Sequence, residues 1–352
     1  MKKEQADIAR DAEDALRACL ADAPFVAVRS VKADVPQQTG QADLVFEVEL
    51  PEGPITIIVE IKRSGQPRLA RDAVNQLVRW TGESPRTYGV FAAPYISSRG
   101  ADVCKAAGVG YVDLSGNCRL CFGRVYIEQT GNPNEFARER ELQSLYAPKA
   151  SRVLRVLLAE PKRCWKVQDL SNEAEVSIGH VSNVKQLLQN REWLSSGKEG
   201  TVLTDPQELL CEWAENYSYC DNEAKDYYCM QEVPDIEQQL AVACSKAGQR
   251  YALTMFSGAV RLGVTARYKR VFAYVEGEQR EIAGRIGLKP VSSGANVSLL
   301  TPYDGGVFYG ARDCDGVRVP SPIQVFLDLK SFRGRGEETA EVLLREVIQS
   351  QW

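Results

Sequence analysis

Residues 41 to 63 of this 352-residue chain have few ways to fold. Two apolar-rich runs, Ala42 to Leu50 and Ile55 to Arg63, flank Pro51-Glu52-Gly53-Pro54, a cluster of turn-forming residues. Setting Leu50 opposite Ile55 places Val48 against Ile57, Phe46 against Val59 and Leu44 against Ile61. A slip of one residue would throw that apolar set onto the other face, so the pattern selects this register. It also sets Asp43 opposite Lys62 and Val45 opposite Glu60. Side chains alternate along a strand, so Asp43, Glu60 and Lys62 share the second face. Two carboxylates and an ammonium on one face of a sheet are what a divalent metal site with an adjacent base needs. The plain alternative is a solvated face with one cross-strand ion pair, worth at most about 1 kcal/mol.

Around this hairpin the first segment alternates helix and strand. Ile8 to Leu20 has helical spacing of Ile8, Ala12, Ala15, Leu16, Cys19 and Leu20. Phe25 to Val31 reads as a strand. Arg68 to Trp80 is a helix with Leu69, Ala73, Leu77 and Trp80 on one face. Thr87 to Ala93 is a strand, Ser97 to Ala107 a short helix, and Tyr111 to Leu114 and Cys118 to Gln129 supply the last strands. A mixed sheet with helices on both faces fits that order.

The residues Asp43 and Glu60-Ile61-Lys62, on two neighbouring strands, resemble the signature of the PD-(D/E)XK nuclease superfamily. Ala42 stands where that family usually has a proline. The resemblance covers roughly residues 1 to 130 and implies a restriction-endonuclease-like mixed sheet. It implies Asp43 and Glu60 as ligands of Mg2+, with the Ile61 carbonyl as a further oxygen ligand. Lys62 would position or help deprotonate the attacking water. Some branches carry a glutamine on the following helix. Gln76 stands there, either orienting Lys62 or touching phosphate, or as a plain helix-surface amide.

Composition sets the outer limits. The chain has room for two or three domains, and 44% hydrophobic with 26% charged residues describes an ordinary soluble protein. The longest apolar runs are strand-length, and the N-terminus lacks the apolar core of a signal peptide. The ten cysteines are scattered. Cys118 and Cys121 alone have CxxC spacing, with no second pair to complete a zinc site. A cytoplasmic protein with reduced cysteines is expected. The single histidine, His180, argues against histidine-rich metal sites and against a Ser-His-Asp triad. A net charge of −4 means that nucleic acid would have to meet a local basic face.

Gly131-Asn132-Pro133-Asn134 closes the first unit, and Glu135 to Tyr146 reads as a polar connector helix. Beyond it the character changes. Ser151 to Ala159 is helical and ends at Pro161. Val167 to Ala174 forms a short helix around Leu170. Ser177 is a good N-cap for a third helix reaching about Trp193, with Val181, Val184, Leu187 and Leu188 inward. Gly197-Lys198-Glu199-Gly200 turns between two short strands. Three helices and a two-stranded wing over about Ser151 to Asp205 resemble the winged helix-turn-helix family. That resemblance implies that the third helix enters the major groove of duplex DNA. Ser177, His180, Ser182, Asn183, Lys185 and Gln186 would face bases and phosphates, and Lys162, Arg163, Lys166 and Lys198 would hold the backbone. The alternative is a module used for protein contacts.

From about Glu208 a third unit follows. Leu209 to Tyr217, Pro234 to Ala247, Thr254 to Gly263, Gln324 to Leu329 and Glu337 to Ile348 read as helices. Arg270 to Tyr274 and Val297 to Leu300 read as strands, and Gly306 to Val319 as a hairpin turning at Cys314-Asp315-Gly316. The polar, tyrosine-rich run Cys220 to Gln231 has no clear period. Four stretches resemble the C-terminal domain of AbiEi-type antitoxins of type IV toxin–antitoxin systems: Tyr251-Ala252-Leu253-Thr254, Ser321-Pro322-Ile323-Gln324, Leu327-Asp328-Leu329 and Gly334-Arg335-Gly336-Glu337-Glu338. The cover is about Tyr251 to Ile348. Phe332-Arg333-Gly334-Arg335-Gly336 reads better as a helix-to-helix loop than as a phosphate-binding loop.

The expected whole is an α/β multidomain protein: a nuclease-like domain (1–147), a winged helix-turn-helix (148–207) and a C-terminal α+β domain (208–352). Two functions fit it. One is a DNA-binding transcriptional regulator of the antitoxin kind, with a cognate toxin as partner. The other is a Mg2+-dependent DNA nuclease targeted by the winged helix. The AbiEi family represses its own operon through a winged helix, and two of the three segments favour that first function.

Overall fold

The computed structural model describes residues 2–37, 39–82, 84, 86–134, 145–332 and 334–352. Most of the expected connector helix Glu135 to Tyr146 lies outside them. The chain divides into two compact units, Met1–Glu139 with Gln189–Glu192, and Arg140–Leu188 with Trp193–Trp352. The boundary expected at 207/208 therefore does not separate compact bodies. One cluster of buried side chains runs from Leu145 to Ile348.

Unit one opens with helix α1 (Lys2–Ala21). Strands β1 (Ala27–Pro36), β2 (Gln41–Leu50) and β3 (Gly53–Ile61) follow, then α2 (Pro67–Thr81), β4 (Thr87–Ala93) and α3 (Ser98–Ala106). Strands β5 (Gly110–Asp113), β6 (Cys118–Phe122) and β7 (Val125–Gln129) complete it. Among the described residues the seven strands form one sheet in sequence order. β3, β4 and β5 run parallel and their other neighbours antiparallel. Leu16 and Leu20 of α1 pack on Phe46, Val48 and Ile57 on one face. Ala70, Ala73 and Leu77 of α2 pack on Val45, Ile58 and Phe91 on the other. Both helices bury an apolar stripe, at about 1.5–3 kcal/mol for each large side chain fully removed from water.

The hairpin register differs from the expected one by two residues. Val48 pairs with Ile55, Phe46 with Ile57, Leu44 with Val59 and Leu50 with Gly53. A two-residue slip keeps every side chain on its own face, so the apolar pattern cannot detect it. The turn decides instead. Pro51-Glu52 makes a tight two-residue connection, and Gly53 closes it with a φ of +118° that other residues avoid.

Unit two begins with α4 (Pro148–Ala159), α5 (Val167–Glu173) and α6 (Ile178–Asn190), then the hairpin β8 (Leu194–Ser196) and β9 (Thr201–Leu203). Trp165 extends the hairpin: its N–H donates to Thr201 O at 2.8 Å and its carbonyl accepts from Thr201 N at 2.9 Å. Helix α7 (Pro206–Glu215), strand β10 (Glu223–Tyr228), α8 (Val233–Ala247), β11 (Tyr251–Thr254) and α9 (Met255–Arg261) follow. Then come β12 (Val271–Val275), α10 (Gln279–Arg285), β13 (Lys289–Pro290), β14 (Val297–Thr301), β15 (Arg312–Cys314) and β16 (Val317–Val319). Helices α11 (Pro322–Lys330) and α12 (Arg335–Leu343) close the chain. The main sheet has the order β11-β12-β14-β10-β13, and β15-β16 is the expected second hairpin. The Phe332 to Gly336 run joins α11 to α12, with Glu337 and Glu338 in the first turn where they complement the helix dipole.

A buried polar network ties α4 to this sheet. Arg155 is 1% exposed. It donates to Gln324 Oε1 (3.2 Å), Ser151 Oγ (2.8 Å) and Tyr303 Oη (3.0 Å), and its guanidinium lies 4.9 Å from the Trp213 ring centroid. Gln324 Nε2 in turn donates to Asp328 Oδ1 at 2.9 Å. Tyr217 (2.6 Å) and Tyr274 (2.8 Å) donate to the same oxygen, and Thr254 to Oδ2.

Candidate functional site

Two places in the fold carry the residues singled out by sequence. The first is the carboxyl end of β3. Asp43 stands on β2 one residue before the Leu44–Val59 pair, and its Oδ2 accepts the Ile61 N–H at 2.6 Å. Lys62 Nζ donates to Glu60 Oε1 at 2.6 Å. The alternation of the strands thus gathers Asp43, Glu60 and Lys62 on one face, although Asp43 does not pair with Lys62 as expected. Glu60 is 4% exposed, and its Oε2 is buried without a hydrogen-bond partner among the described residues. Burial raises the Glu60 carboxyl above its usual range, the Lys62 ammonium opposes this, and the Asp43 charge adds to the rise. Burial also raises Asp43, against the pull of the Ile61 N–H and Lys62.

A buried carboxylate oxygen without a donor is costly unless something positive occupies it. That open valence, on the face that also carries Asp43, fits a hard divalent cation of the Mg2+ type. Gln76 is elsewhere. It is half-buried on α2 and makes no side-chain hydrogen bond among the described residues. Its Nε2 would lie 3.8 Å from a Cβ placed on Gly40, so it faces the β1–β2 turn. The pair Cys118 and Cys121 splits between buried and exposed positions, as residues three apart on a strand must.

The second place is α6. Ser177 caps it: its Oγ accepts from His180 N at 3.4 Å and meets His180 Nδ1 at 2.9 Å. Val181, Val184 and Leu188 are buried, with Leu187 partly so. Ser177, His180, Ser182, Asn183 and Gln186 are exposed, and Lys185 is half-buried on the flank. The helix contains no acidic residue. Lys198 is exposed in the β8–β9 turn, and Lys162, Arg163 and Lys166 are exposed before α5. Arg163 is partly committed, pairing with Glu160 at 3.1 Å and stacking 3.7 Å from the Trp165 centroid.

Sequence reasoning missed Arg155 and Asp328 as partners in one network. Each sits on a helix whose apolar neighbours dominate the pattern, and their partners lie up to 169 residues away. It also missed α10, whose stripe is limited to Ile282 and Ala283 beside a buried Gln279.

Residues 202–349 match the family model described as "Transcriptional regulator, AbiEi antitoxin, Type IV TA system". This part of the chain is similar to that family's domain, and the match begins well before the Tyr251 expected from sequence. Among solved structures the chain is similar to a repair endonuclease from Pyrococcus abyssi, with 15% identity, 29% of this chain and 46% of that one covered, and a TM-score of 0.21. It is also similar to EndoMS in a complex with double-stranded DNA, at 16% identity, 29% and 44% coverage and a TM-score of 0.20. EndoMS in its apo form gives 14%, 29%, 45% and 0.20. The chain spans less than half the length of these structures. Comparison with curated proteins gives no match.

Proposed function

We propose that the chain is a DNA-binding transcriptional regulator of the type IV antitoxin kind, gripping duplex DNA through α6. The observation that carries this reading is the AbiEi domain at 202–349, joined in one compact unit to three helices and a hairpin whose third helix presents an exposed, acid-free face. On this reading α4 to β9 is a winged helix-turn-helix. Ser177, His180, Ser182, Asn183, Lys185 and Gln186 enter the major groove, and Lys198 on the wing meets the backbone. A cognate toxin is the partner that the family description implies, and the protein acts in the cytoplasm. The test is binding to a duplex carrying its own promoter region. Asn183→Ala with Lys185→Ala should weaken it without unfolding the protein, since neither side chain belongs to the buried stripe. Unchanged affinity would sink the assignment.

A second reading is favoured by one specific observation, the unpartnered Glu60 Oε2 beside Asp43 and Lys62. It is Mg2+-dependent hydrolysis of DNA phosphodiesters. Asp43 and Glu60 would hold the cation, which supplies charge stabilisation at the scissile phosphate. Lys62 would orient the attacking water. Incubating plain, supercoiled and branched DNA with Mg2+ decides the matter. Cleavage that disappears with Asp43→Ala or Glu60→Gln would establish the nuclease, and no cleavage on any substrate favours the regulator.

A further inference from the structure

The outer face of α6 is uneven in a way that its own fold does not require. Ile178, its first residue, is 48% exposed and packs in none of the hydrophobic clusters. Ser182 and Gln186 follow it at four-residue steps, with Asn183 alongside, all exposed. Gly179 sits beside Ile178 in the first turn. A glycine within a helix costs about 1 kcal/mol relative to alanine. Yet a Cβ added there would meet only Ser177 Oγ, at an ordinary 3.8 Å. Nothing inside the protein demands the missing side chain. A surface that must approach the backbone closely from outside would.

The chemistry of this face narrows what that surface is. Asparagine and glutamine pair with the N6 and N7 edge of adenine, and an apolar side chain meets the 5-methyl of thymine. Arginine, the usual reader of guanine, is absent from α6, as is any acid to accept from cytosine. Lys185, half-buried on the flank, is placed for a phosphate. From Ile178 to Gln186 the helix rises about 12 Å, which spans about three to four base pairs.

We infer that α6 reads a short A·T-rich core, with Ile178 against a thymine methyl, Gly179 allowing the close approach, and Asn183 and Gln186 reading adenine. This rests on the DNA-binding reading above and adds the sequence class that it recognises.

The experiment is selection of bound sites from a random duplex library by the full chain, followed by replacing each thymine of the selected site with uracil. An A·T core under each bound helix is expected. Removing one particular methyl should weaken wild-type binding about fourfold and leave Ile178→Ala unaffected. Gly179→Ala should weaken binding although it favours the helix. A selected core rich in G·C, or a site indifferent to every methyl, overturns the inference and leaves DNA binding standing. Failure to enrich any duplex overturns both.

Discussion

Asp328 in the second unit and Glu60 in the first are both buried acids, and burial raises both carboxyls. Their surroundings differ. Asp328 takes hydrogen bonds from Tyr217, Tyr274, Gln324 and Thr254, so both of its oxygens are satisfied. Through Gln324 the network continues to Arg155 and Trp213. Among the described residues Glu60 has one side-chain partner, Lys62, and an oxygen with none. The first arrangement is closed and has nothing left to offer a ligand. It holds α4 against the sheet and so fixes the helices in front of residues 202–349. The second is open, and its unused valence costs stability until a cation or a donor arrives. Buried charge alone therefore does not mark a site; the unmet valence does.

The comparison breaks most visibly at Asp328. Asp328→Ala should destabilise the second unit by about 3–5 kcal/mol, because it strips a partner from four buried donors. Urea unfolding followed by the fluorescence of the buried Trp165 and Trp213 measures this. A loss under about 1 kcal/mol would mean that the network is ornament.

Glu60→Gln should do the opposite. It keeps the shape and the acceptor for Lys62 while removing a poorly solvated charge, so the first unit should gain on the order of 1 kcal/mol at neutral pH. The sign follows from linkage. Glu60 in the folded protein holds its proton more tightly than its ordinary value of 4.5 implies, so its charge costs stability as pH rises through the folded value. The advantage of the variant should fade as pH falls to about that ordinary value. Mg2+ should stabilise the wild type, and not the variant, if the open valence takes a cation. A variant less stable than wild type at pH 7 without metal would contradict the open arrangement.

The smallest effect belongs to charges that are neither closed in nor left open. Arg250 and Glu276 form an exposed ion pair, and the arginine lowers the glutamate carboxyl. Glu276→Gln should cost at most about 1 kcal/mol, and less in high salt. That small contribution is present above the ordinary carboxylate range and lost as pH falls through the depressed value. Thermal melts at low and high salt check it.

Much of the layout was legible. Period-two and period-3.6 patterns located the strands and helices of the first unit, and Ser177, Val181, Val184 and Leu188 placed α6 and its outward face. The parity of the hairpin was legible too, which is why Asp43, Glu60 and Lys62 were expected together. Its register was not, because both registers match apolar with apolar and only the tight Pro51-Glu52 turn separates them. Strand β10 was hidden because its residues alternate weakly; it pairs with β14 and β13, distant in sequence. The Arg155–Asp328 network was invisible for the same reason, since polar residues on apolar helices disclose their partners only after folding. Gln76 lies near Gly40, beside the start of β2, but its spacing on the helix could not say what its side chain touches.

One titration tests the central claim that α6 carries the function and that Glu60 does not. Fluorescence anisotropy of a bound duplex is followed across a salt series for the wild type, for Glu60→Gln and for Asn183→Ala with Lys185→Ala. The expected result is equal affinity for wild type and Glu60→Gln. The α6 variant should bind more weakly, with its salt slope shallower by about 0.9 for the lost phosphate contact. Wild-type affinity and slope in the α6 variant, or loss of binding in Glu60→Gln, would contradict the account.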